Sequence, residues 1–450
     1  MADRSRAIAK RGTWTDAHVR RLFWRAGFGA TRAEVSTWTA RGKGATIAWL
    51  LDGGRGPRLV GPEPRVDGKA LDPVNEYGHD VLWWLDQMIR TQRPLVEKMT
   101  LFWHNHFATN DQDPPLMLRQ NYTFRKYALG NFRRLLEAVT KDPAMQAFLS
   151  LSDSDKAAPN ENYARELMEL FTMGSGYTEQ DIREAARALT GFRSVNSGDT
   201  LVGVSYDPGS HDAGAKQIFG RSGRFDYKGV LDLVVRRPQH PGFLVAKLWR
   251  YFVTEPISPA TQNALARVYR RSRLELKPVL KAILGHPALY ANLDAPDMVK
   301  APIVYVAGAL RTAGRGIDRS DWADRLSAMG QRPFNPPNVA GWEWGPAWMS
   351  TNTMRARFEA AGSLIEDGPA SVADGSTSPS LSPADALGIA RQAVGEPWLS
   401  RETGGALADM AAAFFAGVDA GDSDTRQQRA DQSQRALRHL LVSNPDGQLH

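Results

Sequence analysis

Two histidines stand one residue apart in the segment HNHF, residues 104–107, directly after the run PLVEKMTLFW. On a continuous helix, side chains two positions apart diverge by about 200°, so His104 and His106 would not chelate one ion. An extended chain would let both imidazoles turn to one side. We expect the helix that begins at Pro94 to end near His104, in a bend that turns at least one imidazole toward the helix that carries Glu166. The alternative is that both histidines are satisfied polar residues at the end of an apolar helix.

The segment NENYARELMELFTMG, residues 160–174, predicts a helix in which Asn162, Glu166 and Glu169 share one face beside an apolar stripe. Neighbouring carboxylates in a partly apolar site raise each other's pKa, which produces a general acid at neutral pH. We expect Glu166 to lie in a cleft, and Glu169 to be held by Arg165 or another cation. An exposed pair of glutamates on an amphipathic helix is the alternative.

A third candidate is the segment SHDAGAK, residues 210–216, inside a stretch rich in glycine. His211 and Asp212 form the kind of pair in which a carboxylate orients an imidazole, and Lys216 offers a cation for an anionic group. Loops often carry function, but a His-Asp dipeptide also arises by chance.

A fourth candidate is the aromatic loop RPFNPPNVAGWEWGPAWMSTNTMRARF, residues 332–358. It places Trp342, Trp344 and Trp348 within seven residues, and aromatic platforms of this kind suit sugar rings or other flat ligands. The alternative is a loop that plugs the core and bonds its indole nitrogens locally.

Together these segments favour a hydrolase-type enzyme that acts on a polar substrate, with carbohydrates among the candidates. Glu166 would serve as the general acid or base. The side chains assigned to catalysis are His106, Glu166, Glu169, His211 and Asp212. The side chains assigned to substrate binding are Asn162, Lys216, Trp342, Trp344 and Trp348.

A metal-assisted variant of this enzyme uses His104, His106 and Glu166 as ligands of a divalent ion such as Zn, Mn or Fe. The rival from another class is a non-catalytic binding or assembly protein, in which the polar segments form a buried network that fixes helix packing. Convergence of three segments around a solvent-open pocket favours the enzyme, and dispersal or complete burial favours the rival. The partner expected is a polar small molecule or a glycan, and a protein partner stays open.

Helical periodicity and capping signals predict a mainly α fold. Thr31 with Glu34, and Thr178 with Asp181, have the spacing of capping boxes. Period-two strands are scarce, and residues 331–348 are too rich in proline and glycine for regular structure. Residues 193–228 predict an irregular loop with at most one short hairpin. We expect one large single helical domain with long irregular loops and little or no sheet.

The predicted organisation has four parts. Residues 1–14 form an N-terminal tail, and residues 15–365 form the main helical domain that carries the candidate site. Residues 366–383, rich in Ser, Gly, Pro and Asp, form a linker or loop. Residues 384–450 form C-terminal helices that pack on the main domain.

Composition excludes several classes of site. The 450 residues include no cysteine, which excludes disulfides, zinc–thiolate sites, iron–sulfur clusters and thiol nucleophiles. The net charge of +7 is mild for this length and its basic residues are scattered, so the signal for nucleic-acid binding is weak. The N-terminal sequence shows no apolar segment typical of a signal peptide, and no apolar run is long enough to cross a membrane. These features predict a soluble protein.

Six segments, taken in order, resemble the bacterial domain-of-unknown-function family 1800. They are RRLFWRAGFGAT (20–31), EKMTLFWHNHFAT (97–109), NENYARELMELFTMGSGYTEQDIREAARALTGF (160–192), HDAGAKQIFG (211–220), KLWRYFV (247–253) and GQRPFNPPNVAGWEWGPAW (330–348). The resemblance covers most of residues 15–360. It implies a large single-unit protein of unestablished activity, from a family whose members are often exported and often encoded beside a second family with secretion signals. The absence of a visible leader departs from that pattern.

Overall fold

The computed structural model describes residues 13–52, 58–110, 113–416, 418 and 421–450. Residues 1–12 of the predicted tail, and residues 53–57 of the Gly/Pro-rich connector, lie outside this described part. Helices make up 58% of the residues, which confirms the prediction of a mainly α fold.

Nineteen α-helices are present in the described part of the chain. Their bounds are Asp16–Arg25, Arg32–Asp52, His79–Arg90, Pro94–His106, Pro114–Tyr127, Phe132–Thr140, Pro143–Phe148, Asn162–Glu166, Glu179–Leu189, Tyr227–Val235, Gln239–Phe252, Pro259–Arg271, Leu276–Leu284, Pro302–Thr312, Trp322–Ala328, Thr351–Glu366, Pro383–Ala393, Arg401–Phe415 and Ser423–Ser443. A π-helical turn, Leu167–Thr172, continues the helix Asn162–Glu166. Short 3-10 turns cover Pro287–Tyr290, Gly345–Met349, Gly368–Ala370 and Asp446–Gln448.

Strands are few and short. In the described residues, three antiparallel two-stranded sheets pair Arg65–Val66 with Lys69–Ala70, Phe192–Ser197 with Thr200–Tyr206, and Lys216–Ile218 with Arg221–Gly223. The stretch 193–228 therefore holds two hairpins rather than the single one expected.

Both predicted capping boxes are confirmed, and they fix where their helices begin. The backbone N–H of Thr31 donates to the Glu34 carboxylate at 2.8 Å, and the N–H of Glu34 donates back to the Thr31 hydroxyl at 3.3 Å. Thr178 and Asp181 make the same reciprocal pair before the helix Glu179–Leu189. Each pair satisfies backbone N–H groups that lack a partner within the helix.

The helix Pro94–His106 lies between two apolar cores. On one face, Phe102 and Trp103 pack in a core formed largely by residues 124–289. On the other face, Leu101 packs in a core that includes residues from the segments 81–89, 303–364 and 386–442. Both faces of this helix are therefore buried, and successive polar residues on it point into different surroundings.

The C-terminal helices share the second of these cores. Leu437 and Leu441 in the helix Ser423–Ser443 are fully buried there. The segment expected to be a linker is tied to the same helix, because the carboxylate of Asp431 accepts the backbone N–H groups of Gly375 at 2.7 Å and Thr377 at 2.9 Å. None of the helices in the described residues has the length and apolar character needed to cross a lipid bilayer.

Candidate functional site

The helix that begins at Pro94 continues through His104 and Asn105 to His106. The backbone N–H of Phe107 closes it on the carbonyl oxygen of Trp103 at 2.8 Å. The expectation that the helix ends in a bend near His104 is therefore wrong. Packing on both sides favours the helical conformation up to His106, and the two imidazoles diverge as the helix geometry requires.

His104 faces the core that contains the C-terminal helices. Its side chain is 1% exposed and meets Trp84 edge to face, with ring centroids 5.1 Å apart. Nε2 accepts a hydrogen bond from the backbone N–H of Phe334 at 3.0 Å. Burial lowers the pKa of His104 to about 3, so the ring is neutral, and this contact ties the aromatic loop to the helix.

His106 faces the opposite way. Its Nε2 lies 3.0 Å from the carbonyl oxygen of Phe171, and its Nδ1 lies 3.4 Å from the Lys247 ammonium. A carbonyl only accepts and an ammonium only donates, so the ring is neutral with its proton on Nε2. Burial, followed by the charge of Lys247, holds the pKa of His106 well below its usual range. The imidazole thus reaches the chain just after Glu166 but contacts a backbone carbonyl there.

The π-helical turn Leu167–Thr172 has three consecutive carbonyl oxygens that bind side chains from elsewhere in the fold. The donors are Lys247 Nζ to Leu170 at 2.8 Å, His106 Nε2 to Phe171 at 3.0 Å and His240 Nδ1 to Thr172 at 2.9 Å. The imidazoles of His106 and His240 therefore donate to carbonyl oxygens at the end of a helix, where carbonyl groups lack partners within the helix.

The two glutamates on the predicted stripe lie toward the surface. Arg165 binds Glu179 at 2.8 Å, and no salt bridge to Glu169 is present in the described residues, so the expectation that Arg165 or another cation holds Glu169 is wrong. Glu169 is exposed and instead accepts a hydrogen bond from the Tyr177 hydroxyl at 3.2 Å. Arg165 pairs with Glu179 rather than Glu169 because its side chain reaches the first turn of the next helix, where Glu179 lies.

Glu166 is half-buried, and Asn162 is exposed one turn before it. Burial, followed by the charge of Glu169, raises the pKa of Glu166. Within the described residues no hydrogen bond to its carboxylate is present, and His106 does not reach it. The structure leaves Glu166 as a carboxylate at the edge of the apolar core.

The loop at residues 210–216 satisfies its own polar groups. The His211 ring binds the carbonyl oxygen of Thr190 at 3.0 Å, while the Asp212 carboxylate accepts from Arg187 at 2.7 Å. Asp212 therefore does not orient the neighbouring imidazole. The buried ammonium of Lys216 donates to two carbonyl oxygens of its own loop. These contacts fold the loop and leave Lys216 little capacity for an external anion.

The predicted metal ligands do not come together. His104 and His106 lie on opposite faces of one helix, and Glu166 bonds to neither. In the described ranges, no group of three or more His, Asp or Glu side chains is placed to hold a metal ion.

The three tryptophans of the aromatic loop do come together, at a pocket of about 340 Å³ that we call the tryptophan pocket. Trp342 and Trp348 are mostly buried, while Trp344 is half-buried. The rings of Trp344 and Tyr251 meet edge to face, with centroids 5.1 Å apart and planes at 90°. Tyr251 comes from the helix Gln239–Phe252, so the pocket joins two distant parts of the chain.

Asn105, the residue between the two histidines, holds the aromatic loop over this pocket. Its side-chain oxygen accepts the backbone N–H of Trp342 at 2.7 Å, and its amide donates to the Trp342 carbonyl at 3.5 Å. The approach is close at Gly341, where a Cβ atom would lie 2.2 Å from the Asn105 oxygen. Thus the HNHF segment does belong to the pocket, through Asn105, which the sequence analysis did not single out.

Lys98 is the second lining residue that sequence reasoning missed. It is 3% exposed, and its ammonium donates to the Trp24 carbonyl at 3.2 Å and lies 5.7 Å from the Tyr251 ring centroid. Burial, with a further contribution from Arg25, lowers its pKa to about 7. The available signal was its position inside the apolar run PLVEKMTLFW, where an ordinary solvated lysine is unexpected.

The polar edge of the pocket contrasts with its aromatic wall. Arg250 and Glu343 are exposed there, and Asp297 lines it while bound to the Arg25 guanidinium at 2.7 Å. A pocket of this kind offers flat apolar surfaces together with donors and acceptors at its rim. It suits binding of a compact ligand that has both an apolar face and polar substituents.

Comparison with known proteins gives a family and no further relatives. No curated protein and no solved structure matches the sequence. Residues 21–449 match the family described as "Protein of unknown function (DUF1800)", which is nearly the whole length. The resemblance of the six segments is thereby confirmed, and the chain belongs to the DUF1800 family.

Proposed function

We propose that this protein binds a small polar ligand of the saccharide class in the tryptophan pocket, as a binding protein rather than a hydrolase. The observation that carries the proposal is the convergence of Trp342, Trp344, Trp348 and Tyr251 on one pocket. These residues come from two segments about ninety positions apart in sequence, so their meeting is a property of the fold.

The chemistry of the wall and the rim fits a saccharide. A sugar ring has an apolar face of C–H groups that packs on an aromatic ring, and hydroxyl groups around its edge that need donors and acceptors. The aromatic rings supply the first kind of surface. Arg250 and Glu343 are exposed at the rim and supply the second. The volume of about 340 Å³ is within the usual range of small-molecule sites.

The state of the other candidate groups favours binding over hydrolysis. The hydrolase hypothesis places acid–base chemistry on Glu166 and His106, and neither residue lines the tryptophan pocket. His106 has both ring nitrogens engaged by Phe171 and Lys247. His211 and Asp212 bind separate partners. Dispersal of these groups is what a binding protein with a buried polar network predicts.

Isothermal titration calorimetry against a panel of glycosides and disaccharides tests the proposal. We expect at least one panel member to bind, and Trp344→Ala to weaken its binding at least tenfold, which corresponds to about 1.4 kcal/mol. The matched control is Trp398→Ala, because Trp398 is also half-buried but lines a different cavity. Equal loss of binding in both variants, or no binding by any saccharide, would contradict the proposal.

Hydrolysis is checked on the same ligands. We expect no release of reducing sugar when the protein is incubated with the disaccharides that bind. Turnover that is abolished by Glu166→Gln would instead establish the hydrolase hypothesis.

A further inference from the structure

The Lys98 ammonium is a buried charge without a carboxylate partner among the described residues. Its hydrogen bond goes to the Trp24 carbonyl at 3.2 Å, and its other neighbours are the faces of Phe28 and Tyr251, at 5.4 and 5.7 Å from the ring centroids. A buried charge is costly unless a group of opposite charge accompanies it. One carbonyl and two ring faces compensate only part of that cost.

The aspartate that lines the pocket is already engaged. Asp297 binds the Arg25 guanidinium at 2.7 Å and accepts from the Thr254 hydroxyl at 3.1 Å. Arg25 is itself 2% exposed and adds positive charge close to Lys98, which contributes to the lowered pKa of that lysine. Arg25 thus has partners in Asp297 and in the carbonyl oxygen of His450, which it binds at 2.8 Å, whereas Lys98 forms no salt bridge in the described residues.

We infer that the ligand of the tryptophan pocket is a saccharide with one anionic substituent, which binds the Lys98 ammonium while the sugar ring packs on the tryptophans. This inference rests on the proposed function of the same pocket. A single ammonium is balanced by a monoanion, and the two common monoanionic substituents of sugars are a carboxylate, as in uronic acids, and a sulfate ester. An anion there would also favour the charged form of Lys98.

Lys300 provides a matched comparison. It is as well buried as Lys98, donates to the carbonyl oxygen of Gly447 at 2.7 Å, and lies 4.1 Å from the centroid of the Trp24 ring. Burial lowers its pKa to about 7 as well. However, it lines a separate cavity of about 540 Å³ and not the tryptophan pocket. The two lysines differ in position while sharing their burial and chemistry.

The test compares sugars that differ only at C6. Methyl hexosides of glucose, galactose and mannose are titrated beside the corresponding methyl uronides and 6-sulfates. We expect the intact protein to bind one uronide or one 6-sulfate at least tenfold more tightly than its neutral partner, and the preferred arm identifies the substituent. Lys98→Met should bind the charged sugar no more tightly than its neutral partner. Lys300→Met should retain the preference.

The outcomes separate the two proposals. Equal binding of charged and neutral members overturns the inference about Lys98 and leaves the saccharide pocket intact. A preference that survives Lys98→Met, or that is lost equally in Lys300→Met, also overturns it. Failure of every sugar to bind overturns both. Equal binding in the intact protein overturns the inference without any variant, so the inference stays falsifiable even when Lys98→Met is poorly folded.

Discussion

At the scale of single residues, three buried histidines serve as neutral hydrogen-bonding groups. His104 accepts from the Phe334 N–H, while His106 and His240 donate to the carbonyl oxygens of Phe171 and Thr172. His240 also has its second nitrogen satisfied, by the Tyr269 hydroxyl at 3.0 Å. Each ring therefore joins separate parts of the chain, and its neutral state is part of the folded structure.

Replacing His106 with alanine tests this structural role. We expect His106→Ala to lower the free energy of unfolding by about 1–3 kcal/mol, because the Phe171 carbonyl and the Lys247 ammonium each lose a buried partner. Glu166→Gln is the control, and its effect should stay within about 0.5 kcal/mol because no hydrogen bond to that carboxylate is lost. Urea denaturation measures both. Unchanged stability in His106→Ala would argue against the structural role.

The same histidines predict a dependence of stability on pH. Folding lowers the pKa of His104 to about 3 and that of His240 to about 4, so the unfolded chain binds more protons below pH about 6.5. Stability is thus fully present above that pH and falls as the pH drops toward the folded values. Each histidine should contribute a slope that rises to about 1.4 kcal/mol per pH unit once the pH is well below 6.5.

Urea denaturation between pH 7 and pH 5 measures how the free energy of unfolding changes with pH. The variant His104→Gln isolates the contribution of one histidine. Glutamine retains an acceptor for the Phe334 N–H but does not titrate in this range. The variant should therefore lose about 2 kcal/mol less stability than the unaltered protein over these two pH units. An identical slope in the variant would show that His104 is not held neutral.

At the scale of elements, the helix Arg32–Asp52 is broken at one residue. Gly42 has φ 80° and ψ 166°, which is not helical, and the Thr46 hydroxyl donates to its carbonyl oxygen at 2.8 Å. Because glycine has no Cβ atom, Gly42 adopts this positive φ without the steric penalty that other residues meet.

Two glycines in this helix should respond oppositely to alanine. A Cβ atom at Gly42 or at Gly44 would meet nothing within 4 Å, so only backbone conformation differs between them. We expect Gly42→Ala to destabilise the fold by about 1 kcal/mol, because φ is positive there. Gly44→Ala should stabilise it by about 0.5–1 kcal/mol, since it lies in a helical turn. Thermal denaturation of the pair is the measurement, and changes of the same sign would contradict the break at Gly42.

At the scale of the whole molecule, the C-terminal helices share a core with helices near the middle of the chain. The same cluster includes Leu82, Val306 and Leu437, each fully buried. Further polar contacts cross this region, among them Arg357 to the Gln448 side-chain oxygen at 3.1 Å. A shared core couples the stability of the segments that build it.

Calorimetry tests that coupling. We expect one dominant unfolding transition, and we expect Leu437→Ala to shift all of it downward, with a loss of about 2–5 kcal/mol. The control is Ile389→Ala in a neighbouring C-terminal helix, where the side chain is 42% exposed and the effect should be small. An early separate transition that alone responds to Leu437→Ala would show that the C-terminal helices unfold independently.

The sequence by itself determined the helices and the candidate wall of the pocket. Capping pairs such as Thr178 with Asp181 are local, so their geometry follows from residues three positions apart. The convergence of Trp342, Trp344 and Trp348 also reflects their closeness in sequence. Such features depend on short-range contacts that the order of residues already contains.

Only the tertiary structure decided which polar groups meet. In the sequence, His106 and Glu166 are both candidates for acid–base catalysis. In the structure, the His106 imidazole binds a carbonyl oxygen of the π-helical turn, and the Glu166 carboxylate lies half-buried at the edge of the core. Lys98 shows the opposite case, because its placement beside the aromatic wall depends on Tyr251, more than a hundred residues later. Side chains distant in sequence become neighbours only through packing of their helices, and burial then sets both their partners and their charge.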